Sequence, residues 1–209
     1  MLKIRRFAPQ ITILILLSMP ALEVWAKSQK KEFLTDKEIE EIQDTRKIDA
    51  RVDLYLLWAK KRLKTAEDRL MGKEAAPGDP FEFFMPEDLV DGYYEIIKSV
   101  MVNLDNAYQN PQELAKDNNL KNLAKNNKIN AADVMIAVKK ALGDLKTATE
   151  ATMSDLEALK TLVEKKQQNK QQNTQQNTQI EEIWNSINKA IEITKGAHEG
   201  AESGLSQKR

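Results

Sequence analysis

The chain has 209 residues, of which 31% are charged and 6% aromatic, with only 7 glycines. Basic and acidic residues balance at 32 each, so there is no cationic excess with which to hold a nucleic-acid backbone. Cysteine is absent, which excludes disulfides, thiolate metal ligands, cysteine nucleophiles and lipid attachment at an N-terminal cysteine.

Such a composition favours long helices over sheets, and the length suits one domain or at most two. Residues 1–26 read as a secretory signal. Lys3, Arg5 and Arg6 form a basic start, Ile11 to Leu17 an apolar core, and Val24-Trp25-Ala26 a peptidase site. The apolar run is shorter than the roughly 20 residues of a membrane span. The expected product is exported, periplasmic or extracellular, and meets a membrane only through the signal if that segment is retained. Residues 27–34 form a polar leader.

Thr35 to Met71 reads as one long amphipathic helix and as the element along which the rest packs. Thr35 and Glu38 have the spacing of a capping box, and Leu34 and Ile39 that of a hydrophobic staple. Its apolar or small stripe is Ile42, Thr45, Val52, Leu56, Ala59, Leu63, Ala66 and Leu70, with Ile48 and Tyr55 flanking it. Asp49 interrupts the stripe and calls for partial exposure or an ion pair, with Arg51 or an opposite arm as partner. As one helix the segment would extend roughly 54 Å, which requires partners of similar length. Gly72 stands where a left-handed C-cap is expected.

Gly72 to Met85 is a connection rich in turn formers, ending in Phe81-Glu82-Phe83-Phe84-Met85. Two readings of Phe81, Phe83 and Phe84 are open. One is a plug over the end of the core. The other is an exposed apolar patch that meets a partner or a membrane surface. A second amphipathic helix opens at Pro86 and carries Leu89, Tyr93, Ile96, Ile97, Val100, Leu104, Ala107 and Tyr108. It should break at Asn110-Pro111 and continue weakly from Gln112 to Lys125, giving a broken arm antiparallel to the first.

Asn130 caps a third helix, from Ala131 to about Lys166, with the stripe Val134, Val138, Ala141, Leu145, Ala148, Thr152, Leu156, Leu159 and Val163. Residues 167–179, QQNKQQNTQQNTQ, read as a low-complexity hairpin tip into which the flanking helices can extend. The last helix, Thr178 to Glu202, has the heptad stripe Ile180, Ile183, Ile187, Ala190, Thr194, Ala197 and Ala201, and residues 204–209 form a tail. The fold class expected is all-α, an up-down-up-down four-helix bundle over residues 35–203 with its second arm broken near Pro111. That order places the start of the first arm beside the end of the last. A three-helix coil with a loose arm and an intermolecular coil are the alternatives.

Parts for chemistry are few. His198 is the one histidine; it lies off the stripe and reads as a surface residue. No phosphate loop, nucleophile elbow, zinc motif or paired Glu-x-x-His is present. No catalytic residue, metal ligand or cofactor is therefore assigned, and the expectation is a protein that is not an enzyme. The best contact candidates are Arg51, Tyr55, Trp58 and Arg62 on one side of the first helix, together with Phe81, Phe83 and Phe84. The strip can grip a partner or an anion, or it can pack at the bundle edge under its own arginine stems.

The stretch from Leu34 to Leu70, LTDKEIEEIQDTRKIDARVDLYLLWAKKRLKTAEDRL, resembles the opening of a group of uncharacterised bacterial exported proteins. They share a signal peptide, an Arg-x-x-x-Asp-x-Arg helix start and a helical remainder; here Arg46-Lys47-Ile48-Asp49-Ala50-Arg51 departs in spacing. The resemblance implies export and a helical fold, and carries no assigned activity or site residues. Together these features predict an exported helical bundle binding an unknown protein partner in the cell envelope, as a scaffold or chaperone-like factor. The alternative is a bundle that binds a small ligand or cofactor.

Overall fold

The computed structural model describes residues 32–116, 130–168 and 174–207. The expected signal segment, most of the expected leader, residues 117–129, the centre of the Gln/Asn tract and the last two residues lie outside them. Six α-helices and no strand occur among the described residues: α1 (Asp36–Asp44), α2 (Ile48–Leu70), α3 (Pro86–Gln109), α4 (Pro111–Lys116), α5 (Ala131–Gln168) and α6 (Thr174–Ser206).

The expected single helix from Thr35 to Met71 is two helices. Its capping box is present: Glu38 N–H donates to Thr35 Oγ1 at 3.3 Å, and Thr35 N–H to Glu38 Oε2 at 2.8 Å. At Thr45, however, the backbone turns extended (φ −87°, ψ 111°), and Lys47 (φ −77°, ψ 135°) starts α2. Thr45 closes α1 by donating its hydroxyl to Glu41 O at 2.7 Å, and Arg51 Nε donates to Thr45 O. The reason for the break lies elsewhere in the sequence. Glu38 pairs with Arg62, yet on a straight helix those residues would stand about 36 Å apart. Only a folded-back α1 lets them meet.

The end of α2 follows its sequence signal. Gly72 is left-handed (φ 83°), its N–H bonds Arg69 O, and Lys73 N–H bonds Asp68 O. These are the two bonds of a Schellman cap. Asn130 and Asp133 form a reciprocal capping pair at the start of α5, both bonds 3.0 Å. The break at Asn110-Pro111 is present, and α4 packs chiefly on α5. Both helices flanking the Gln/Asn tract reach into it, since Gln itself tolerates helix.

The apolar stripes of α2, α3, α5 and α6 close on one core. Every residue of the α6 stripe is buried, and on α5 only Ala148 is not, its place taken by Thr149. In this helical bundle α2 packs along α3 and α5, and α6 packs along α5 and α3. The first and last long helices, expected side by side, do not pack along one another. A three-helix polar cluster accounts for part of this pairing. Tyr93 of α3 reaches both Thr152 of α5 and Thr194 of α6, which draws those three together.

Candidate functional site

The aromatic and arginine strip of α2 lies mostly inside. Tyr55 is 9% exposed, Trp58 5% and Arg62 1%; Arg51 alone is partly exposed. Tyr55 and Trp58 meet edge to face, 6.0 Å between ring centres. Burial pushes the Tyr55 phenol up, opposed by the charge of Arg51.

Arg62 is the most unusual member. Its Nη1 donates to Glu38 Oε1 at 2.9 Å and its Nη2 to Glu38 Oε2 at 2.6 Å, a two-pronged pair. Trp58 O (3.3 Å) accepts from Nη1 and Phe33 O from Nη2, and the guanidinium lies 5.0 Å from the centre of the Phe81 ring. Gly92 of α3 forms the floor: a Cβ there would stand 3.1 Å from Arg62 Cδ and Nε. Burial alone would raise the Glu38 carboxyl, but the Arg62 and Thr35 bonds outweigh it and hold the group below its usual 4.5.

The three phenylalanines of the α2–α3 connection part company. Phe81 is 1% exposed, with Arg62 and Lys61 over its ring. Phe84 is half-buried against it, edge to face at 5.5 Å. Phe83 points outward, 79% exposed. The loop is pinned by Arg69, which donates to Lys73 O at 3.1 Å and Phe81 O at 3.3 Å. Beside it opens a groove of about 760 Å³, lined by Leu70, Phe83, Phe84, Met85, Ile180 and Ile183 among others. Met71 (47% exposed) and Met85 (46%) add to the apolar surface at this end. The loop thus divides between inside and outside: Phe81 is buried, as a plug would be, and Phe83 is exposed.

The interior holds a second polar site. Tyr93 donates its hydroxyl to Thr194 Oγ1 at 2.7 Å and can accept from Thr152 Oγ1 at 3.1 Å. Thr194 donates its own hydroxyl to Ala190 O at 2.6 Å. Burial raises the Tyr93 phenol, with the threonine bonds opposing. His198 is half-buried, its Nδ1 3.3 Å from Thr149 Oγ1. Asp49, the interruption in the α2 stripe, lies 3.8 Å from Lys140 of α5 through Oδ2, while its buried Oδ1 has no hydrogen-bond partner. The opposite arm thus supplies its ion pair.

Sequence reasoning placed Arg62 on a contact strip and missed its carboxylate. A signal for it was present: Gly92 sits inside a helix, where glycine costs about 1 kcal/mol relative to alanine and so marks a close approach. Among the described residues no group of three His, Asp or Glu side chains is placed to hold a metal, and no helix is long and apolar enough to cross a membrane. Protein-family models, curated proteins and solved structures yield no match to this chain.

Proposed function

We propose that this is an exported, non-enzymatic protein that binds another protein of the cell envelope, as a scaffold or chaperone-like factor, through the apolar end of its bundle. The observation that carries the reading is Phe83, 79% exposed at the groove that Met85 also lines, on a loop tied by Arg69 to Phe81 O and by the packing of Phe84 on Phe81. A large aromatic left in water on an ordered loop is a surface made for contact. The signal-like residues 1–26 and the resemblance of residues 34–70 to exported helical proteins support the location.

The body is proposed as four arms running up, down, up and down. Lys140 beside Asp49 and Asp53 supports α2 and α5 running the same way. Tyr93 with Thr194, and Tyr108 with Gln207, support the same for α3 and α6. Lys146 with Glu202 supports α5 and α6 running in opposite senses.

The test is a photo-crosslinking amino acid placed at Phe83, and at exposed Glu157 as a control, in cells of the native host. A discrete protein adduct at 83 and none at 157 is expected. Equal or absent labelling at 83 overturns the reading.

A further inference from the structure

We propose that residues 32–44 form an exchangeable arm, and that the Arg62 slot of one molecule also accepts Glu38 from a second copy of this chain. Three observations meet here. The first is how the arm is held. Its charged anchor among the described residues is the Glu38–Arg62 pair, supplemented by Phe33 O and by Phe33, Leu34 and Ile42 against the core. All of these contacts belong to the arm and its dock, so a second copy can supply every one of them without any new surface.

The second observation is the hinge. Thr45, Arg46 and Lys47 separate α1 from α2, and none is glycine or proline. Thr45 and Lys47 have ordinary negative φ, and a change mainly in ψ would take them to helix. The stripe from Ile42 to Leu70 has helical spacing on both sides of the hinge. Straightening therefore yields the continuous helix that the local sequence favours.

The third is distance. In the straight form Glu38 lies about 36 Å from its own Arg62, and the guanidinium that it pairs in the folded-back form would lack its carboxylate. The identical carboxylate of a second molecule restores the pair. Residue 50 lies midway between 38 and 62, so two straightened helices aligned antiparallel about Ala50 satisfy both pairs with one two-fold axis. The exchange is independent of whatever meets Phe83.

The experiment is sedimentation and light scattering of the chain across concentration, with three kinds of variant. Replacing Thr45, Arg46 and Lys47 together by alanine favours the straight helix and should raise the dimer constant about fivefold. Ile48→Pro suits the first position of α2 after the extended Lys47, but breaks a straight helix, and should lower the constant about a hundredfold or more. Glu38→Arg and Arg62→Glu each place like charges together alone. Mixed, they restore both pairs only in a heterodimer, which native mass spectrometry should find in excess over either homodimer. Dimer formation unaffected by both hinge variants, or a chain that stays monomeric even with the alanine hinge, overturns the proposal. The hinge variants keep Glu38 and Arg62, so they decide the matter even if the charge-reversed chains fail to fold.

Discussion

Two polar sites are buried in this bundle, and they are buried by different means. At one, Arg62 carries a full charge and needs a bidentate carboxylate, two backbone carbonyls and a glycine notch. At the other, Tyr93, Thr152 and Thr194 are neutral, and the helices' own carbonyls absorb the spare protons. The charged site ties a short, removable segment to the body. The neutral site joins three long helices that have nowhere to go. A buried charge stays satisfied only while its partner stays docked, so the first site is conditional and the second is not.

The largest effect expected at either site is from Glu38→Ala, which leaves Arg62 inside without its carboxylate. A loss of about 3–5 kcal/mol in urea unfolding is expected. Arg62→Ala should cost less, because Glu38 on the short α1 can turn to water. Gly92→Val pushes a side chain into Arg62 Cδ and Nε, and an overpacking loss of about 1–3 kcal/mol is expected by the same measurement.

Acid should separate the two sites. The Glu38 carboxyl is lowered in the folded protein. Its contribution is fully present above the unfolded value near 4.5 and disappears as pH falls through the folded one. Unfolding followed from pH 6 downward should lose this increment in the wild type and not in Glu38→Gln. Tyr93 responds at the other extreme, because its raised phenol favours the neutral form. Its contribution holds below pH 10 and falls as pH rises beyond it.

Tyr93→Phe should cost only about 0.5–1.5 kcal/mol, since both threonines keep their bonds to helix carbonyls. A loss as large as that of Glu38→Ala would erase the distinction drawn between the sites. Smallest is Lys140→Ala. Its ammonium is raised by hydrogen bonds to Asp144 and Asp53, but it is half in water, and exposed pairs contribute about 0–1 kcal/mol.

Much of the scaffold was legible residue by residue. The stripes of α5 and α6 are buried nearly as the spacing predicts, because a helix that packs lengthwise repeats its contacts every three or four residues. The Thr35, Gly72 and Asn130 caps were legible because capping is decided within a few residues. The candidate contact strip was harder to read. Spacing grouped Arg51, Tyr55, Trp58 and Arg62 on one face, but not which way that face looks. The aromatic loop was divided by its own turn, which sends Phe81 inward and Phe83 outward two residues later.

Helix content, caps, stripes and the break at Pro111 follow from the chain alone, because each depends on neighbours within one or two turns. The fold-back of α1, the burial of Arg62 and the pairing of α2 with α5 rather than α6 were settled only by the assembled bundle. Those outcomes depend on groups distant in sequence, Glu38 with Arg62 and Gly92, or Tyr93 with Thr152 and Thr194. No local pattern encodes which distant group arrives to satisfy a buried charge.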